Sequence, residues 1–211
     1  MPAEPRPRIS GLYAITDHEL LGKDLVRAVE AAISGGARVV QYRDKSADAP
    51  RRLTEARALL SCCRRHDVPL LINDDIALAQ AVGADGVHLG QGDTSLAMAR
   101  SRLGPGAIIG ITCHDRLDLA EAAARNGADY LAFGAMYPSS SKPAASACPP
   151  AVLTAARRFR LPLVAIGGIT PDNAGDIILA GADALAVIAS LWQAADIQAR
   201  ARQFSQEFPS A

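Results

Sequence analysis

Short apolar runs alternate with longer amphipathic stretches along the chain. Four of the runs open on one pattern: Gly36-Ala-Arg-Val-Val-Gln41, Gly83-Ala-Asp-Gly-Val-His88, Gly127-Ala-Asp-Tyr-Leu-Ala132 and Gly181-Ala-Asp-Ala-Leu-Ala186, at roughly equal spacing. Each follows a helical stretch, so Gly-Ala is expected to end a helix and the apolar residues after it to form a buried strand. Further apolar runs bounded by Pro or Gly lie at residues 11–16, 68–73, 107–112 and 161–168, giving eight strand candidates in all. Helical periodicity covers residues 25–34, 51–66, 115–125 and 149–160. Short strands alternating with helices predict parallel βαβ units. Eight units fit a single α/β domain, a (β/α)8 TIM barrel over residues 10–207, after a Pro-rich tail at residues 1–9. The competing architecture is a doubly wound open sheet. Four near-equal double units favour closure, because a ring gives every unit the same surroundings.

Composition then narrows the function classes. The 211 residues carry 22 Lys+Arg against 22 Asp+Glu, a formal net charge of +0. A neutral total supplies no broad field to draw nucleic acid or an anionic membrane. Aromatics at 4% leave little for a base-stacking platform. The 49% hydrophobic content is too high for disorder. Residues 1–8 lack an apolar core, so no signal peptide is expected. The most apolar long run, residues 177–195, contains Gly181 and Asp183, and a strand plus the start of a helix explains it better than a membrane span. Cys62, Cys63, Cys113 and Cys148 show no metal-like spacing, which predicts free thiols in the cytoplasm.

In such a barrel the chemistry sits just after each strand. Gln41, Arg43 and Lys45 are two apart, so in extended chain they point one way. Two cations and an amide on one face suit a polyanion; the competing reading is a solvated loop. Asn73-Asp-Asp75 and His88-Leu-Gly-Gln-Gly-Asp93 follow the next two runs. Asp74 and Asp93 beside that cationic trio suggest Mg2+ bridging to phosphate oxygens. The competing role for an Asp here is a helix N-cap, open to Asp75 and Asp93. His88 is either a site residue or a satisfied core histidine. Thr112 is a polar wall candidate. Neighbouring Cys113 and His114 do not make a nucleophile–base pair.

Residues 134–150 form the longest stretch without periodicity, with three hydroxyls at 139–141 followed by Lys142. Gly167-Gly168 lets backbone N–H groups approach an anion. Thr170 is an N-cap candidate before Pro171. With Ile188 and Ala189, this is the usual phosphate side of the fold. Two anion sites in one mouth suggest joining two small phosphorylated molecules. With pyrophosphate as leaving group, metal and cations would stabilise the departing charge.

The ordered strings Tyr13-Ala-Ile-Thr-Asp17, Gln41-Tyr-Arg-Asp-Lys45, Ile72-Asn-Asp-Asp75, Gly86-Val-His-Leu-Gly-Gln-Gly-Asp93, Ala132-Phe-Gly134, Pro138-Ser-Ser-Ser-Lys142 and Ala165-Ile-Gly-Gly-Ile169 resemble the thiamine-phosphate synthase family from about Gly11 to Leu191. The resemblance implies a transferase joining 4-amino-2-methyl-5-hydroxymethylpyrimidine diphosphate to 4-methyl-5-(2-phosphoethyl)thiazole, or its 2-carboxylate. Thiamine monophosphate and pyrophosphate would be released. It implies that Gln41, Arg43, Lys45, Asn73 and Lys142 hold the diphosphate, with Arg43, Lys45 and Lys142 acting in catalysis. Asp74 and Asp93 would bind Mg2+, His88 would lie near the pyrimidine, and Thr112 would be among the substrate-binding residues. Ser139, Ser141 and backbone at Gly167, Gly168, Ile188 and Ala189 would reach the thiazole phosphate. The implied mechanism is dissociative: diphosphate leaves, a pyrimidine-methyl cation forms and the thiazole nitrogen attacks. The family usually has Thr at 139 and 141, Ser at 112 and Ser at 189. Ala189 therefore removes a side-chain contact.

A related thiazole tautomerase would share the glycine-rich half but not need the diphosphate set. A metabolite-sensing barrel should have lost the metal ligands, and an isomerase would need a positioned base. Arg51-Arg52, Arg64-Arg65 and Arg157-Arg158 are expected on outer helices, which leaves Arg43, Lys45 and Lys142 as the functional cations.

Overall fold

The structure, a computed structural model, describes residues 9–92, 95–138 and 147–209. Residues 1–8 of the expected tail fall outside it. Eight strands close into a barrel in chain order. They are β1 (Gly11–Ile15), β2 (Ala37–Tyr42), β3 (Leu70–Asn73), β4 (Gly86–Leu89), β5 (Ile108–His114), β6 (Tyr130–Phe133), β7 (Leu163–Ile166) and β8 (Ala184–Val187). Every adjacent pair is parallel, including β1 with β8. The open-sheet alternative is thereby excluded. Among the described residues the helices are α1 (His18–Leu21), α2 (Leu25–Ser34), α3 (Ala49–Arg65), α4 (Ile76–Val82), α5 (Leu96–Leu103), α6 (Leu117–Arg125), α7 (Ala151–Ala156), α8 (Pro171–Leu179), α9 (Ala189–Trp192) and α10 (Ile197–Gln206). None of them is long and apolar enough to cross a membrane.

The period of two along each strand divides the core. Tyr13, Ile15, Val39, Leu71, Ile108, Tyr130, Ala132, Val164, Ala184 and Ala186 fill the barrel interior. Their neighbours Leu12, Ala14, Val40, Tyr42, Leu70, Ile72, Ile109 and Cys113 pack outward with the helices. Gly110 makes room inside: a Cβ there would lie 1.9 Å from the Tyr130 ring. The indole of Trp192 on α9 donates to the Ile15 carbonyl at 2.6 Å, tying the last unit to the first strand.

As expected, each repeated Gly-Ala follows a helix and leads into a strand: in three copies Gly-Ala-Asp is the turn and the strand begins on the next residue, whereas β2 begins at Ala37. Gly36, Gly83, Gly127 and Gly181 all take positive φ, a conformation open to glycine at little cost. In three copies the Asp carboxylate then accepts a backbone N–H from the neighbouring strand region: Leu70 to Asp85 at 2.8 Å, Ile109 to Asp129 at 2.8 Å and Leu163 to Asp183 at 2.9 Å. This is why β4, β6 and β8 begin three residues after the glycine. The copy with Arg38 in place of Asp cannot accept such a bond, and there β1 and β2 shift register between Leu12 and Tyr13. The expected helix over 149–160 stops at Ala156 and gives way to a 3-10 turn, Arg157–Phe159.

Candidate active site

A cavity of about 1080 Å3 opens at the C-terminal ends of the strands. Alternation places its walls. Gln41 continues the inward set of β2, and Arg43 and Lys45 follow it into the mouth. Asn73, His88 and Thr112 are the inward residues at the ends of β3, β4 and β5. Gly167, Gly168, Ile188 and Ala189 line the β7–β8 side. All of these were expected at the site from the sequence, together with Asp74, and the structure brings them into one cavity. Asp93, Ser139, Ser141 and Lys142 lie outside the described residues.

Arg43 is held from the β1 loop. Its backbone N–H donates to Thr16 Oγ1 at 2.9 Å, and its guanidinium lies 3.5 Å from Asp17. Asp17 also accepts N–H bonds at the start of α1. The string Tyr13-Ala-Ile-Thr-Asp17 thus supplies the grip on a candidate anion ligand, a role that the sequence alone did not assign.

Asp74 takes φ 62, left-handed backbone that Asp tolerates better than most residues. Its N–H donates to the His88 carbonyl at 2.9 Å, and Asn73 Nδ2 donates to its carboxylate. A carboxylate turned out of the strand line and steadied by an amide is a hard oxygen donor facing the cavity. That chemistry fits Mg2+, which takes few protein carboxylates and completes its shell with water and phosphate. Asp75 is the N-cap of α4, accepting from Leu78 N–H at 2.8 Å, so the two neighbours divide the roles. Thr170 is the N-cap of α8, with Pro171 as its first residue.

A hydrogen-bonded chain crosses the cavity floor. Gln41 Nε2 donates to the Tyr13 hydroxyl at 2.6 Å. The Tyr13 and Tyr130 hydroxyls are 2.9 Å apart, and Tyr130 lies 2.8 Å from His88 Nδ1. His88 Nε2 is 2.8 Å from Thr112 Oγ1. An amide nitrogen can only donate. The ordering that gives both phenol protons an acceptor within the chain runs Tyr13 to Tyr130 to His88 Nδ1. His88 then carries its proton on Nε2 and donates to Thr112. Burial pushes both phenols far above their ordinary value, so they stay neutral. His88 is therefore a satisfied histidine and a cavity residue at once. The two tyrosines read from sequence as strand core, and only barrel closure brings them together.

The strand-end rule also reaches residues with no site role assigned from the sequence. His114, Asp115 and Arg116 line the mouth after β5. Cys113 points away from it, and burial pushes its thiol up to about 12, which removes it as a nucleophile. Cys62, Cys63 and Cys148 are likewise buried free thiols.

The Gly167-Gly168 side is a cradle that side chains would close. A Cβ at Gly167 would lie 2.5 Å from that of Ala135, and one at Gly168 would lie 2.5 Å from the Pro138 carbonyl oxygen. Both glycines have positive φ. Bare backbone at this position can approach an anion closely.

Comparison with known proteins points to one family. A family model described as thiamine monophosphate synthase matches residues 12–191. A thiamine-phosphate synthase of Marinobacter nauticus is 57% identical over 201 residues, covering 94% of this chain and 90% of the relative. One of Methylobacillus flagellatus is 55% identical over 202 residues, covering 96% and 97%. Among solved structures, thiamine phosphate pyrophosphorylase from Pyrococcus furiosus superposes with a TM-score of 0.85 at 32% identity, covering 93% of this chain and 94% of that one.

Proposed function

We propose a specific reaction for this chain, which belongs to the thiamine monophosphate synthase family and is a transferase forming thiamine phosphate. The electrophile is 4-amino-2-methyl-5-hydroxymethylpyrimidine diphosphate. The nucleophile is 4-methyl-5-(2-phosphoethyl)thiazole or its 2-carboxylate. The products are thiamine monophosphate and pyrophosphate, with CO2 lost as well when the thiazole carries the 2-carboxylate. The observation that carries the reading is one cavity with two different anion walls: Gln41, Arg43, Lys45, Asn73 and Asp74 on one, and the Gly167-Gly168 cradle with Ile188 and Ala189 on another.

Arg43 and Lys45 face a diphosphate with a fork and a point charge, and Lys142 adds a third cation. Asp74 and Asp93 would hold Mg2+, which when bound supplies further positive charge against the diphosphate. The methylene–oxygen bond breaks and its electron pair leaves with the diphosphate. The preset cations favour that departure because they need no reorganisation as charge develops. His88 and Thr112, fixed by the tyrosine chain, hold the pyrimidine in place, and Gln41 at the other end of that chain stays with the diphosphate wall. The thiazole nitrogen then gives its lone pair to the pyrimidine-methyl carbon, forming the new C–N bond. No proton is abstracted, consistent with a cavity floor whose histidine, His88, has both ring nitrogens hydrogen-bonded. Ser139 and Ser141, with the glycine cradle, hold the thiazole phosphate away from the cationic wall.

The test is direct. Purified protein with both substrates and Mg2+ should give thiamine phosphate, read as fluorescent thiochrome after oxidation and chromatography. Product no greater than in a boiled control overturns the reading.

A further inference from the structure

The sequence places Arg51 and Arg52 on an outer helix, apart from the functional cations. They do sit on α3, but both side chains turn back toward the mouth. Alternation explains why they find partners there. Gln41, Arg43 and Lys45 face the cavity, so Tyr42 and Asp44 face α3. Arg51 Nη2 donates to Asp44 Oδ2 and to Ser46 Oγ, each at 2.7 Å. The Asp44 side chain is only 2% exposed. Asp44 also accepts the Ser46 N–H at 2.8 Å, which closes the turn. The other end of the guanidinium meets His18 Nε2, and its Nε lies 3.8 Å from Asp48 and 3.9 Å from Glu55. Glu55 in turn accepts the Tyr42 hydroxyl at 2.7 Å. His18, Asp44 and Glu55 lie close enough together to hold a cation, and the Arg51 guanidinium is the cation they surround.

The next residue repeats the arrangement one loop along. Arg52 Nη2 donates to Asp75 Oδ2 at 2.8 Å. Asp75 caps α4 through its other oxygen, and its N–H donates to the Asn73 carbonyl at 2.7 Å. Each arginine therefore grips an Asp that is the immediate neighbour of a cavity residue: Asp44 between Arg43 and Lys45, and Asp75 beside Asp74.

We propose that Arg51 and Arg52 are positioning residues: Arg51 fixes the segment that aims Arg43 and Lys45 into the mouth, and Arg52 fixes the segment that presents Asp74. The inference rests on the reading that this wall binds diphosphate and metal. A guanidinium fork suits the task because it makes several directed bonds from one rigid plane, which a lysine cannot. A loop held in its binding conformation beforehand loses less entropy when the anion arrives.

Two probes separate the arms. Inorganic pyrophosphate, titrated by calorimetry without metal, reports on the Arg43–Lys45 segment. Mn2+ alone, followed by its electron spin resonance signal, reports on Asp74. Arg51→Gln should weaken pyrophosphate binding about tenfold and leave Mn2+ binding within about twofold, because it loosens one segment only. Arg52→Gln should weaken Mn2+ binding more than pyrophosphate binding. Asp44→Asn removes the other half of the first pair, so it should reproduce Arg51→Gln, and the double variant should be no worse than either. This second variant also serves if Arg51→Gln does not fold. Unchanged binding, or equal losses of both probes in both arginine variants, overturns the proposal. If the wild type binds neither probe, the diphosphate reading itself falls, and the inference with it.

Discussion

The two ends of the barrel use the same residue types for opposite purposes. At the base, Asp85, Asp129 and Asp183 each spend a carboxylate oxygen on a backbone N–H of the neighbouring strand region. Asp129 also pairs with Arg100 at 2.6 Å, and its side chain is 8% exposed. Partner and position are fixed by the chain itself, so the motif can repeat. At the mouth, Asp17, Asp44 and Asp75 support other side chains, and those in turn face a cavity that the chain leaves open. No two strand ends there carry the same residues. Repetition thus marks where the fold is closed, and departure from repetition marks where chemistry is done. This is the general division of a (β/α)8 barrel into a stability face and a functional face.

Substitution should separate the two ends, beginning with the mouth. Arg43→Ala removes a cation that in the proposed reaction faces the departing charge, and it should lower kcat/KM about 10^3-fold, roughly 4 kcal/mol of transition-state stabilisation. Its melting temperature should stay near that of the wild type. At the base, Asp129→Ala strands the Ile109 N–H and removes the carboxylate that neutralises Arg100, whose guanidinium keeps the Ala107 and Gly127 carbonyls among its partners. The expected cost is about 3 kcal/mol of stability, or roughly 6–12 °C in Tm for a chain of this size. Its kcat per folded molecule should hold. Thermal melts and steady-state kinetics on both variants decide the matter. A stability loss from Arg43→Ala, or a kcat loss from Asp129→Ala, would erase the contrast.

Most of the barrel was legible because its signals are local. A period of two fixed which residues of β2 face inward, and the Gly-Ala-Asp repeat announced units of equal size. The strand-end rule then led to Gln41, Arg43, Asn73, His88 and Gly167 without knowledge of their neighbours. What stayed hidden was set by closure and by packing between layers. Tyr13 and Tyr130 are 117 residues apart, and each reads as one more apolar strand position. Arg51 follows the helical period of α3, which says that it lies on a helix but not that it bends toward Asp44. Asp17 ended a family string without a role of its own, and only the fold shows α1 and Arg43 meeting on it.

The tyrosine chain offers a smaller test at the floor of the mouth. Tyr130→Phe keeps the ring that Gly110 accommodates but breaks the link from Tyr13 to His88. His88 would lose the partner that fixes its tautomer. The expected loss is about tenfold in kcat/KM, near 1.4 kcal/mol, with little change in melting. A loss in melting alone would make the hydroxyl a packing feature of the base.

The smallest effect is expected one residue away from the cavity wall. Thr112 and Cys113 are neighbours on β5, yet one lines the mouth and the other faces the helix layer. If that division holds, the thiol takes no part in the reaction and keeps its proton. With its pKa pushed up to about 12 by burial, thiolate is on the order of 10^-4 of the population at pH 8. The sign follows from burial disfavouring the charged form, so reactivity should grow only as the pH climbs toward that value. Iodoacetamide labelling of Cys113 in the folded protein, mapped by mass spectrometry, should rise about tenfold per pH unit between 8 and 10 without levelling. A plateau near the ordinary thiol value would mean that the outward face of β5 opens to solvent, and the sharp boundary between mouth and layer would have to be redrawn.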